Sequence, residues 1–189
     1  MVKSDFRVCI DACVLANFGV ADLLLRLAKR PRQLIPVWSE QILDETYRTH
    51  TTRLGWNEAI AASFQAALRE HYLEATCTGY EHLIPAMTNH EKDRHVVAAA
   101  VKAQAPLILT FNLDDFQDED LSPWGVKAKS PDDYLTTLYE MDSAPIAQTL
   151  GGIAERRKAK GDTLEDVVLR LGQSLPRLAA HLYEGFDLG

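Results

Sequence analysis

The chain is short of the residues that would commit it to zinc, to disulfides or to a membrane. Its three cysteines, Cys9, Cys13 and Cys77, cannot all pair with one another, and neither a CxxC pair nor a Cys/His zinc spacing occurs. That scarcity points to a reducing, cytoplasmic setting without structural zinc. No apolar run approaches the roughly 20 residues that span a bilayer. The opening stretch MVKSDFRVCIDACV is too short in apolar residues, and too interrupted by acids, for a signal peptide. No membrane association is expected. Basic charge is also in deficit, with 20 Lys and Arg against 27 Asp and Glu and a net charge of −7. A broad, nonspecific nucleic-acid surface needs the opposite balance. A nuclease whose acids gather at one metal site remains compatible with it. Internal repeats and low-complexity tracts are missing as well.

What is present suits one compact domain: 189 residues, 47% hydrophobic and 25% charged. Phe6–Ile10, Leu34–Trp38 and Leu107–Phe111 are short apolar runs with β character; Gly125–Ala128 adds a weaker strand signal, and Ala75–Tyr80 is ambiguous. Helical patterns cover Val20–Arg30, Ser39–Thr49, Trp56–Tyr72 and Lys92–Gln104. Strands alternating with helices predict βαβ units. The expected fold class is therefore α/β, a three-layer α/β/α arrangement around a central parallel sheet of four to five strands. Ser130-Pro131-Asp132-Asp133 joins a cap, a proline at the first helical position and acids in the first turn, which marks a helix start. After Asp142-Ser143-Ala144-Pro145 the strand signals stop, and two or three helices are expected over Ile146–Lys158 and Thr163–Tyr183. Residues 1–142 are read as the domain and 143–189 as a C-terminal helical extension. Its basic cluster Arg156–Lys160 reads as a solvated helix end that complements the dipole.

In open parallel sheets, ligands bind in the crevice at the carboxyl ends of strands. Asp11 ends the first strand. Thr110 and Asn112 share one face of the third apolar run, opposite Leu109 and Phe111. In KDRHVVAAAV, Asp93 stands at the head of the stripe Val96, Val97, Ala100, Val101, and Glu45 lies in the helix that follows LIPVW. Each has a bland alternative. Asp11 is also a favoured N-cap, and Asp93 also suits a cap or the helix dipole, with Asn89 competing for the cap. Glu45 lies off the Ile42, Leu43, Tyr47 face, where a solvated glutamate is the default. His95, beside the apolar stripe, reads first as a packed or surface histidine. Asp114, Asp115, Asp118, Glu119 and Asp120 form an acidic loop expected to be mostly solvated.

Taken together, carboxylates and one carboxamide without a cysteine or histidine pair form a hard-oxygen set suited to Mg²⁺ or Mn²⁺. Such a cluster repels itself when empty, and a divalent ion resolves the repulsion. The matching chemistry is attack of an activated water on a phosphodiester.

Four blocks in order, FRVCIDACVLA, WSEQILDE, DRHVVAAA and ILTFNLDDF, resemble the PIN-domain ribonuclease family and its VapC-type toxin-like subgroup over roughly residues 5 to 141. The resemblance implies a Mg²⁺- or Mn²⁺-dependent endoribonuclease of single-stranded RNA, the toxin of a toxin–antitoxin pair. A small antitoxin protein and a homodimer are its implied partners. Carried over residue by residue, it makes Asp11, Glu45 and Asp93 the catalytic metal-holding acids and places Asn112 and Asp115 at the fourth position. Thr110 matches the family's strand-end threonine, and Thr110 and Arg94 are the candidate phosphate contacts. Two departures stand out. Cys13 occupies a position that is often asparagine, and Thr110-Phe111-Asn112 replaces the common Thr-x-Asp, with Asp115 three residues on. They motivate a second reading, a catalytically weak or inactive PIN-fold binding or scaffolding module. A haloacid-dehalogenase-like phosphatase is set aside, because Asp11-Ala12-Cys13 lacks the second acid.

Overall fold

A computed structural model describes residues 5–30 and 32–186 of the chain, so the far ends of the expected domain and extension, residues 1–4 and 187–189, lie outside the described residues. Four parallel strands, β1 (Arg7–Ile10), β2 (Ile35–Val37), β3 (Leu107–Leu109) and β4 (Lys127–Lys129), form one sheet in the order β2-β1-β3-β4. The α/β reading therefore holds, with four strands. The ambiguous Ala75–Tyr80 segment contributes a single bridge, Trp38 to Thr76, along the outer side of β2.

Strand chemistry follows position in the sheet. The inner strand β3 is wholly buried, and β1 is buried from Val8 to Ile10. At one edge, β4 exposes Lys127 and Lys129, charges that discourage pairing with another chain. At the other edge, β2 carries Pro36. The Ile35 N–H points to β1, donating to the Phe6 carbonyl at 2.8 Å, so by alternation Pro36 faces outward, where its missing donor costs nothing.

The helices are α1 (Ala12–Ala16), α2 (Phe18–Lys29), α3 (Glu40–Arg48), α4 (Glu58–His71), α5 (Arg94–Lys102), α6 (Asp118–Leu121), α7 (Pro131–Met141), α8 (Ser143–Arg157), α9 (Leu164–Gly172) and α10 (Pro176–Phe186). Asn17 breaks the chain between α1 and α2 and caps α2, accepting from the Val20 N–H at 3.3 Å. Ser39 caps α3 in the same way. A π-helical turn, Thr49–Arg53, extends α3. In α5 every residue from His95 to Ala100 is buried, because the run of alanines lets the helix lie closely against the sheet.

Helices α8 to α10 join the core of the sheet domain. Ile146, Leu150, Val168, Leu175, Leu178 and Leu182 are buried in the same continuous cluster as Val8, Ile10 and Ile108. Both carboxylate oxygens of buried Asp132, on α7, accept backbone N–H groups at the start of α10, from Arg177 and Leu178 at 3.0 Å each. The Asn17 amide reaches Ser174 at 2.8 Å. Among the described residues, no helix is long and apolar enough to cross a membrane.

Candidate metal centre

Strand β1 lies between β2 and β3, so the chain leaves it toward one side and returns on the other. The carboxyl ends of β1 and β3 border the resulting crevice. Asp11 is the first residue beyond β1, and its N–H is fixed to the Leu109 carbonyl at 3.0 Å. Its Oδ1 accepts from the Ala12 N–H at 2.6 Å. Its Oδ2 accepts from the Thr110 hydroxyl at 2.8 Å and the Cys13 thiol at 3.1 Å. One carboxylate thus caps a helix with one oxygen and borders the crevice with the other, so the two readings of Asp11 do not compete.

The crevice opens into a groove of about 720 Å³. Asp11, Glu45, Asp93 and Asn112 line it, with exposed Arg48, Arg53 and Lys92 among its other walls. Asp93 sits at the N-cap position of α5, after a tight turn at Glu91–Asp93, but its side chain makes no capping bond. Asn89, the competing cap candidate, is buried and donates to the Asp115 carbonyl at 3.3 Å instead. Freed from capping, the Asp93 carboxylate meets other acids. Burial first, then the charges of Asp11 and Asp115, push its pKa up to about 6 against a smaller opposing pull from His95. A carboxylate held near its charging point by neighbouring acids suits a site meant for an added cation.

A tighter cluster shares Asp93: ligand atoms of His90, Asp93 and Asp115 all lie within 4.8 Å of one another. The Nδ1 of His90 is 3.5 Å from Asp93 Oδ2. The Asn112 amide donates to Asp115 Oδ2, so the carboxamide of the altered Thr-x-Asp position holds a carboxylate beside Asp93. Periodicity carries no signal for His90, which precedes the helix in an irregular turn. The donor set, carboxylates with one amide and one imidazole, fits Mg²⁺ or Mn²⁺ better than a thiolate-preferring ion.

Glu45 is not the solvated residue its helix face suggests. Its Oε1 lies 3.2 Å from Nε2 of His95 and 4.0 Å from the Arg48 guanidinium. His95 is 3% exposed and reaches across from α5 to α3. Cys13 keeps a donor where asparagine would have offered one: burial and then the Asp11 charge push its thiol up to about 12, and the sulfur accepts the Phe111 N–H at 3.3 Å. The two expected phosphate contacts are engaged elsewhere. Thr110 is fully buried and turned to Asp11, while the Nε of Arg94 donates to the Asn89 carbonyl at 3.1 Å.

The chain is also similar to known proteins in sequence. A family model described as PIN domain matches residues 5–114. Over 111 residues the chain is 37% identical to a protein of Mycobacterium tuberculosis (strain ATCC 25618 / H37Rv) named "Putative ribonuclease VapC50". The match covers 59% of this chain and 66% of that relative, just under two thirds of its length. No solved structure matches the chain.

Proposed function

The chain belongs to the PIN-domain family, and on that premise we propose that it is a metal-dependent endoribonuclease of single-stranded RNA and the toxin of a bacterial toxin–antitoxin pair. The observation that carries this reading is the convergence of Asp11, Glu45 and Asp93, from three separate segments, on one open groove. Asp11, Glu45 and Asp93 would hold Mg²⁺ or Mn²⁺, with Asp115 and Asn112 beside them, and the bound ion would supply an activated water and charge stabilisation at the scissile phosphate.

The chain's own residues prepare that site. Thr110 and Cys13 both donate to Asp11 Oδ2, which fixes the carboxylate plane. Arg94, through the Asn89 carbonyl, braces the turn that carries Asp93. Arg48, Arg53 and Lys92 place cations along the groove wall where phosphates flanking the cut would lie. Thr110 and Arg94, expected to touch phosphate, serve this scheme as positioning residues. A small antitoxin carrying a basic group would complement the acidic floor, and this acidic chain would work in the cytoplasm, alone or as a homodimer.

The test is cleavage of single-stranded RNA by the full chain with Mn²⁺, with Mg²⁺ and with EDTA, beside Asp93→Asn. Metal-dependent cleavage that disappears in the folded variant is the expected outcome. No cleavage of several RNAs, together with no Mn²⁺ binding at millimolar concentration, would replace this reading with a binding or scaffolding module.

A further inference from the structure

We propose that Phe18 and Trp56 form an aromatic shelf on which bases of the single-stranded substrate stack, two or three nucleotides from the acidic floor; this rests on the ribonuclease reading above and names how that site engages its RNA. Single exposed apolar residues are ordinary, but Phe18 is not isolated. It is 48% exposed at the first position of α2, and its ring centroid lies 5.9 Å from Trp56 and 6.3 Å from Phe64, edge to face. Leu54 and Ile60, on either side of Trp56 in the chain, are 53% and 59% exposed.

The shelf and the groove share a wall. The π-helical turn Thr49–Arg53 directs Thr49, Thr52 and Arg53 into the groove. From the same turn, His50 is fully buried, and Trp56 stacks on its ring at 3.9 Å with 3° between the planes. The Nε2 of His50 lies 3.3 Å from the Ala16 carbonyl, tying the turn to the end of α1. A π-helical turn is uncommon and often accompanies a functional surface. Here it lets five residues serve an aromatic cluster and a polar groove at once. The second link is α1 itself, which runs from Asp11 almost to Phe18. Its five residues span about 7 Å at the helical rise, and the extended Asn17 adds about 3 Å, together two to three nucleotides at a stacked spacing of roughly 3.4 Å.

The chemistry selects the occupant. Arg53 has no acidic partner among the described residues, lines the groove with the acids and precedes Trp56 by three residues in the chain, a position that matches a phosphate between a cut site and a stacked base. Cations interleaved with aromatic rings are the usual means of holding single-stranded nucleic acid. Bases in a duplex are already stacked and cannot lie on such a ring. A chain of net charge −7 gains little affinity from counterion release. Stacking supplies binding that does not depend on net charge.

The experiment pairs the full chain and Phe18→Ala with short oligoribonucleotides carrying one abasic ribose at each successive position around the mapped cut. In the wild type, one position two or three nucleotides from the cut should raise KM about tenfold when the base is missing, with kcat unchanged. In Phe18→Ala the intact RNA should already show that KM, and the abasic substitution should add nothing. Phe18→Leu, which keeps apolar packing without a π face, should behave like the alanine variant, and unchanged thermal unfolding would separate stacking from misfolding. Uniform tolerance of abasic positions by an active wild type would overturn the shelf. So would equal sensitivity in Phe18→Ala, or loss of a protein partner's binding with no abasic effect, which would make this a protein-docking face. A wild type that cleaves nothing refutes the nuclease reading instead. Fluorescence anisotropy with the same intact and abasic RNAs then decides the shelf by itself.

Discussion

Asp162 and Asp93 are the same residue placed in opposite electrostatic settings. Asp162, between α8 and α9, accepts from Arg157 Nε at 2.6 Å and lies 2.9 Å from an Arg170 nitrogen, and these partners lower its pKa. Asp132, on α7, accepts two backbone N–H groups from the start of α10. Asp93 has no Arg or Lys partner among the described residues, with His90 at 3.5 Å, and burial followed by the charges of Asp11 and Asp115 raises its pKa to about 6. For Asp162 and Asp132 the chain supplies donors of its own. In the groove it leaves acid facing acid, which leaves room for a counter-charge from outside.

The contrast is most sharply tested where it touches activity. Asp11→Asn keeps a side chain of the same shape but removes the charge, and kcat/KM for RNA cleavage should fall about a hundredfold or more in Mn²⁺. A fall of less than threefold would show that the carboxylate is not needed.

Where α7 meets α10, the same kind of change should act on stability alone. Asp132→Ala leaves two backbone donors at the start of α10 without their acceptor, and should cost about 2 kcal/mol in urea unfolding. Cleavage per folded molecule should not change.

Next in size is the histidine behind Glu45. His95→Leu removes the group 3.2 Å from Glu45 Oε1, and Mn²⁺ affinity by calorimetry should weaken about tenfold. His95→Gln, which restores a donor, should recover part of it; equal loss in both variants would point to packing.

The smallest effect concerns pH in metal-free protein. Because the folded pKa of Asp93 is raised, the folded state binds more protons than the unfolded state between the ordinary carboxylate pKa and about 6. Stability then falls as pH rises through that window and stays lower above it. Asp93→Asn should flatten this part of the Tm profile and raise Tm at pH 7 by roughly a few degrees. Added Mn²⁺ at pH 7 should raise the wild-type Tm and leave the variant where it is. A wild-type Tm that climbs between pH 4 and 6 more steeply than the variant's would contradict the assigned direction.

Much of the fold was legible because its signals are local. Short apolar runs bounded by polar residues marked β1, β2 and β3. Ser39 and Ser130 marked helix starts, the latter as a cap, and both side chains accept an N–H group of the first turn. Gly125–Ala128 located β4 to within two residues. The helix starting at Val20 proved to begin at Phe18, because Asn17 is a cap that also ends α1. The expected helical stretch Thr163–Tyr183 divides into α9 and α10 ahead of Pro176, a break that the helical pattern did not locate.

The candidate site was legible only in part. Asp11 and Asn112 follow strands, so their place at the sheet edge comes directly from the βαβ pattern. Glu45 and His95 illustrate the limit. Each helix taken alone makes Glu45 a surface residue and His95 a packed or surface histidine, and neither period encodes their 3.2 Å approach. His90 and Asp115 meet Asp93 through two irregular turns, for which periodicity has no rule. The sequence by itself determined the elements, their order and the presence of acids at strand ends, because hydrophobic period and capping are properties of neighbours in the chain. Which acids face one another, and that Asp93 would be denied a cation while Asp162 received two, was decided only when the parallel sheet brought distant segments together. Electrostatic energy depends on distance through space, which a local pattern does not contain.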